Sequence, residues 1–234
     1  RTTESQMLRS PIRLLPAGKD YIWGGRRLKD DFSKDLPLSP LAETWECSTH
    51  PDGPSRLAEH PEMTLHELLQ KHPEMLGTHP AKSMPEAVKN GELPVLIKFI
   101  DAASDLSVQV HPDDDYAREH ENGQLGKSEM WYVVDAAPGT SLVYGFCHTM
   151  DAEKVREAVR KGELDDVFFI PAGTVHAIGA GSLMVEVQES SNLTYRLYDY
   201  HRIGKDGKER PLHLEKALQV ADLTAADSPR QPMR

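Results

Sequence analysis

Two histidines, a glutamate and a glutamine stand in this chain within or beside short strand-like runs, where residue type and spacing could do chemistry. In "LSVQVHPDD", Leu106 to Asp114, alternation puts Ser107, Gln109 and His111 on one face of a strand and Leu106, Val108 and Val110 on the other; Pro112 ends the run. A polar strand face ordinarily looks at water. In "VFFIPAGTVHAI" a P-x-G-x-x-H sequence, Pro171 to His176, makes a tight turn after an apolar run and sends the histidine into the next strand. Taken alone, His176 reads as a buried histidine with a backbone partner. In "GKSEMWYVVD", Lys127 and Glu129 share one side of a strand, while Met130, Tyr132 and Val134 share the other. A solvated strand edge is the ordinary reading of such a pair, but charges running into "MWYVV" fit a polar interior better. Gln109, His111, Glu129 and His176 offer two imidazoles, one carboxylate and one amide oxygen. That donor set suits Zn²⁺, which takes nitrogen and oxygen ligands and can keep one position open. Neither Cys47 nor Cys147 lies in a thiolate metal motif.

The elements that must carry these residues are mostly strands. Strand-like runs are "PVLIKFID", "LSVQVH", "EMWYVVD", "SLVYGF", "VFFIPAG", "SLMVEVQE" and "LTYRLYDY", clustered in the second half and separated by turn residues. Seven such strands predict an antiparallel sandwich or barrel, and the residues before about Asp101 are more mixed. Three helices interrupt them. "TLHELLQKH" carries a capping box of Thr64 and Glu67 and closes at Pro73. "DAEKVREAVRKG" has Asp151 as N-cap, Val155, Ala158 and Val159 as its apolar stripe and Gly162 as its stop. "HLEKALQVADL" spaces Leu214, Ala217, Leu218 and Ala221 for one helical face.

Composition narrows the function classes. A formal charge of −10 over 234 residues argues against nucleic-acid or anionic-membrane binding, because phosphate surfaces attract basic proteins. An anionic small substrate would need a local group of cations against that background. Two cysteines make no disulfide framework and fit a reducing cytoplasm. No apolar run approaches the roughly 20 residues of a membrane helix, and "RTTESQ" before Met7 has neither region of a signal peptide. Met7 is the expected native start.

The P-x-G-x-x-H stretch resembles the second metal motif of cupin barrels, whose first motif normally supplies H-x-H and then a glutamate; here the corresponding pair is Gln109-x-His111. A longer resemblance follows from "LIKFIDAASDLSVQVHPDDDYA", "GQLGKSEMWYVVDA", "FFIPAGTVHAIGAG" and "VEVQESSNLTYRLYDY", together with "YIWGG" and "AETWECSTHPDGPS". These segments, in this order from about Tyr21 to about Leu218, are similar to the type I phosphomannose isomerases, in particular the short bacterial form. The resemblance implies an all-β chain with a few helices, a cupin jelly-roll β-barrel with the metal site inside it. It implies one Zn²⁺ per chain, held by Gln109, His111, Glu129 and His176. It also implies interconversion of mannose 6-phosphate and fructose 6-phosphate, which moves a proton between C2 and C1 through an enediol.

That reaction needs a base, a stabiliser of developing negative charge and a holder for phosphate. Glu186 in "SLMVEVQE" shares its face with Met184 and Gln188, and Arg196 in "LTYRLYDY" shares its face with Thr194 and Tyr198. By motif, both match active-site positions of the family. Arg196 stays protonated and can meet an enediolate or a phosphate, and Lys127 can act as a point charge or proton shuttle. A buried Glu186–Arg196 pair without chemistry is the plainer alternative. Ser107 and Lys98, the latter inside apolar "VLIKFID", are candidate substrate contacts.

Two other functions compete: a catalytically silent sugar-binding cupin and a non-haem iron oxygenase. Gln109 in place of a first histidine speaks against iron, and an acid with two cations around a metal speaks against silence. Residues 7–220 are expected to form the catalytic domain with an N-terminal extension and covering helices, and 221–234 a tail or the start of a second β domain. Relatives place more residues after "DAEKVREAVRKG", so a break is expected between Asp165 and Asp166.

Overall fold

The computed structural model describes residues 8–146, 148–161 and 170–225. Its strands are β1 (Leu14–Leu15), β2 (Ala17–Lys19), β3 (Glu43–Cys47), β4 (Arg56–Leu57), β5 (Val95–Ala102), β6 (Val108–Val110), β7 (Glu129–Ala136), β8 (Leu142–Tyr144), β9 (His176–Ile178), β10 (Ser182–Glu189) and β11 (Tyr195–Tyr198). They build an antiparallel sheet of order β2-β3-β5-β10-β7, a second of order β11-β6-β9-β8, and a separate β1-β4 pair. The all-β class with a few helices holds. Among the described residues the jelly roll consists of two facing sheets, with polar and apolar side chains between them, rather than one closed ladder.

The helices are α1 (Arg27–Asp30), α2 (Leu65–Lys71), α3 (Thr78–Ser83), α4 (Pro85–Lys89), α5 (Asp114–His120), α6 (Ala152–Lys161) and α7 (Leu214–Val220). The capping box of α2 forms as the sequence predicts: Thr64 Oγ1 accepts the Glu67 N–H at 3.1 Å and Glu67 Oε2 accepts the Thr64 N–H at 2.7 Å. Asp151 caps α6 by accepting the Lys154 N–H at 2.9 Å, and Val155 is buried. The side chains of Ala158 and Val159, the Gly162 stop, the "VFF" of "VFFIPAG" and the expected break at Asp165–Asp166 lie outside the described residues. In α7 the helix ends one residue early, with Ala221 extended at its C-cap. Helix α5 was not expected; Asp113 caps it by accepting the Tyr116 N–H at 2.8 Å. Among the described residues no helix is long and apolar enough to cross a membrane.

Three apolar layers hold the two sheets. Val108 and Val110 of β6 pack outward with Tyr195, Leu197 and Ala177 against Val155 of α6 and Ala217 of α7. Each such aliphatic side chain contributes about 1.5–3 kcal/mol by leaving water. Between the sheets, Ile100, Ala102 and Met184 of one meet Leu142 and Ile178 of the other around Trp23. The outer face of the larger sheet is covered through Leu183, Leu28 and Leu41. Leu106 departs from the expected alternation: β6 begins only at Val108, so Leu106 packs between the sheets rather than with Val108 and Val110.

Two rows of paired residues cross the sheets. In the larger, Trp45, Lys98, Glu186 and Trp131 are successive Cα partners across β3, β5, β10 and β7. In the smaller, Arg196, Gln109, His176 and Tyr144 are successive partners across β11, β6, β9 and β8. Since side chains of paired residues leave a sheet on the same face, each row presents its polar groups together.

Candidate metal centre and active-site cavity

Both rows open on one cavity of about 260 Å³ between the sheets, whose walls include Ser107, Gln109, Lys127, Glu129, Glu186 and Arg196. The polar face of "SVQVH" therefore looks inward. At one end His111, Glu129 and His176, all buried, bring ligand atoms within 4.8 Å of one another. Glu129 Oε1 lies 3.4 Å from His111 Nε2, and Glu129 Oε2 lies 3.4 Å from His176 Nε2. Each ring is fixed from behind. His111 Nδ1 is 2.7 Å from the Leu193 carbonyl oxygen and His176 Nδ1 is 2.8 Å from that of Thr174. A carbonyl only accepts, so both protons sit on Nδ1 and both Nε2 lone pairs point at the carboxylate.

Lone pairs facing an anion in a buried site call for a cation. Lys127 meets part of that need: its Nζ lies 3.1 Å from His111 Nε2 and donates to Glu129 Oε1. Glu129 Oε2 and His176 Nε2 are buried with no hydrogen-bond partner. Such atoms are costly to leave unsatisfied, and a metal ion would satisfy both. The donor chemistry fits Zn²⁺ on this observation, with Gln109 on the adjoining wall in register with His176. Burial and the Lys127 charge push His111 down to about 3, and burial lowers His176 as well, so both rings are neutral donors. Burial disfavours the Glu129 carboxylate, but Lys127 and His111 outweigh it and hold its pKa well below the usual range.

Glu186 occupies the facing sheet. Its Oε1 is 2.9 Å from Lys98 Nζ, and Trp131 Nε1 donates to its Oε2 at 2.7 Å. Burial, followed by repulsion from Glu129, raises its pKa. Lys98 also lies 3.4 Å from Glu43 Oε2, which accepts a 2.7 Å bond from Trp45 Nε1. Burial works against the Lys98 ammonium, yet Glu186 and Glu43 more than compensate and raise its pKa. The alternative of a plain Glu186–Arg196 pair does not form; Glu186 is matched by Lys98.

Arg196 stands on the wall of the smaller sheet, where its Nη1 donates to the Pro211 carbonyl at 2.8 Å and its Nε is buried without a partner. Thr194 lines the cavity beside it, but Tyr198 does not. The β11–β6 ladder shifts register between Arg196 and Tyr198, and Tyr198 turns to the outer core. Ser107 and Lys98 both reach the cavity. Sequence reasoning passed over Glu43, Asn192 and Arg210, which line it as well. Glu43 lies inside "AETWECSTH", where it follows an unbroken mixture of polar and apolar residues; Asn192 and Arg210 lie on loops, where no periodicity marks a face.

Comparison with known proteins bears on this geometry. The family model "Phosphomannose isomerase type I, catalytic domain" matches residues 12–141, more than half of the chain. The chain is 38% identical over 230 residues to the mannose-6-phosphate isomerase ManA of Bacillus subtilis, covering 93% of this chain and 70% of that protein. It is 39% identical to the mannose-6-phosphate isomerase of Streptococcus mutans over 223 residues, 90% of this chain and 67% of the relative. A crystal structure of mannose 6-phosphate isomerase from Bacillus subtilis superposes with a TM-score of 0.82 at 36% identity, covering 94% of this chain and 71% of that one. With the fold, the inward-facing polar rows and the relatives in agreement, the chain belongs to the type I phosphomannose isomerase family.

Proposed function

We propose that this protein is a zinc-dependent mannose-6-phosphate isomerase, interconverting mannose 6-phosphate and fructose 6-phosphate by proton transfer between C2 and C1 through an enediol. The observation that carries the proposal is that Glu129, the carboxylate shared by the buried cluster of His111, Glu129 and His176, opens on the same cavity as the buried carboxylate of Glu186. His111, Glu129 and His176, with Gln109, would hold one Zn²⁺, which when bound supplies Lewis-acid polarisation of the sugar oxygens.

The remaining chemistry belongs to the chain. Glu186, a buried carboxylate on the cavity wall, is the base that takes the carbon-bound proton. Lys98 and Trp131 fix its two oxygens, so it meets the sugar in one orientation. Lys127 supplies a point charge beside the metal ligands, and Arg196 supplies permanent charge to the anionic substrate. Ser107 and Lys98 complete the sugar-facing wall. Two cysteines and an acidic surface suit work in the reducing cytoplasm.

Turnover of mannose 6-phosphate to fructose 6-phosphate, followed in a coupled assay before and after chelation, tests the reading. Activity lost on chelation and restored by Zn²⁺ is expected. Turnover indifferent to chelation would remove the metal from the mechanism, and none at all from metal-replete protein would overturn the activity.

A further inference from the structure

Three acids stand on the cavity wall among the described residues, Glu43, Glu129 and Glu186, and only Glu43 has no part in the mechanism above. In "ETWEC" of β3 the alternation puts Glu43 and Trp45 on one face. Trp45 is the Cα partner of Lys98, so Glu43 is the diagonal neighbour of Lys98 across the β3–β5 ladder. Trp45 Nε1 donates to Glu43 Oε2 at 2.7 Å, and Lys98 Nζ donates to the same oxygen at 3.4 Å. On its other side Lys98 Nζ lies 2.9 Å from Glu186 Oε1. One ammonium thus stands between two carboxylates, and each carboxylate also takes an indole N–H, from Trp45 on Glu43 and from Trp131 on Glu186. Lys98, Glu43 and Glu186 are all buried.

In the resting fold this trio holds one carboxylate more than its cation can match. Lys98 and Glu186 alone would be a closed ion pair, and a second buried anion adds a desolvation cost without a second cation. The excess makes sense once the base works. The proton leaves C2 for an oxygen of Glu186, and the electrons of the broken C–H bond form the C1–C2 double bond of the enediolate. Negative charge passes to the sugar oxygen at C1, and Glu186 is a neutral acid until it returns the proton to C1. During that interval Lys98 loses its nearer partner. A buried ammonium without a counter-charge is costly, and Glu43, 3.4 Å away, already stands in place to supply one.

We infer that Glu43 is the standing counter-charge of Lys98, keeping it paired while Glu186 holds the proton and so lowering the barrier to proton abstraction. This rests on the isomerase reading above. Glu43 acts through Lys98 and is a positioning residue, held in turn by Trp45. An interaction that matters only while Glu186 is protonated is stronger in the transition state than in the ground state. It therefore acts on kcat rather than on KM.

The test uses the zinc-loaded full chain in steady-state kinetics, with mannose 6-phosphate and with the same sugar deuterated at C2. Glu43→Gln keeps an acceptor for Trp45 Nε1 and removes the charge. Its kcat should fall about 10- to 100-fold, the range of a lost hydrogen bond between charged groups, with KM little changed. The deuterium isotope effect on kcat should rise, because proton abstraction limits turnover more strongly in the variant. Zinc content should stay at the wild-type level, and the urea midpoint should hold or rise, since the trio loses its unmatched anion. Glu43→Asp keeps the charge and should recover part of kcat. A lowered urea midpoint with an unchanged isotope effect would make Glu43 structural and overturn the proposal, as would a kcat no better in Glu43→Asp than in Glu43→Gln. Should Glu43→Gln fail to fold, an isotope effect above wild type in Glu43→Asp supports the proposal and a wild-type value overturns it. Wild-type turnover with kcat kept in Glu43→Gln would overturn this inference alone, whereas a wild-type chain without turnover would overturn the isomerase reading and this inference with it.

Discussion

Glu129 Oε2 and His176 Nε2 lie 3.4 Å apart, both buried and both without a hydrogen-bond partner. The proposed metal would therefore bear on stability as well as activity, because a ligand bound only by the folded state stabilises it. His176→Ala should lower zinc affinity by more than the roughly 10- to 100-fold typical of an outer-sphere contact. Metal content after dialysis checks this, and wild-type zinc content in the variant would remove His176 from the ligand set.

Glu186→Gln keeps the shape of the side chain and the groups around it but cannot take a proton. Turnover should fall by about 10²–10⁴, the usual share of general acid–base catalysis. Zinc content should be unaffected. Normal turnover would exclude Glu186 as the base, and lost zinc would make it a support of the metal site instead.

Lys98→Met leaves Glu43 and Glu186 buried without their shared cation. Breaking a buried pair in this way costs about 3–5 kcal/mol. The loss should depend on pH. Glu186 already has a raised pKa, and without Lys98 it rises further, so the folded variant binds more protons than the unfolded chain and its stability falls as pH rises through that range. Urea unfolding at pH 5 and pH 8 should show the variant relatively more stable at pH 5; an equal loss at both would refute the buried-charge explanation.

Thr64→Ala removes one half of the capping box on α2, which lies away from the cavity. A cost of about 1 kcal/mol is expected, seen as a lower midpoint in thermal or urea unfolding. Specific activity of the folded variant should equal that of the parent. Reduced turnover would mean that α2 is coupled to the site.

How much of this could be read in the sequence depended on whether a residue belonged to a periodic element. The alternation in "SVQVH" and "SLMVEVQE" placed Gln109, His111 and Glu186 on the correct faces, because an antiparallel strand allows only two. It failed at Leu106, one turn of the pleat before β6 begins, and at Tyr198, where a shifted ladder cancels the alternation. Helix α5 did carry a signal, Asp113 directly after Pro112 with more acids in its first turn, but at seven residues it is too short to show a helical period. Arg210 could not be found by such rules. Its place on the cavity wall comes from its pairing with Asp199, eleven residues earlier, and from the loop whose Pro211 carbonyl accepts from Arg196.

The two rows of paired residues have a consequence for errors in folding. Glu186 is fixed against Lys98 on one side and Trp131 on the other, so a slip of β10 by one position against either neighbour would present Val185 or Val187 to the cavity instead. The same slip would bury Glu186 in the apolar layer behind the sheet, where Leu183 now packs. Misaligned molecules would thus be both inert and unstable, and a cell's degradation machinery would meet them as unfolded chains rather than as weakly active enzyme.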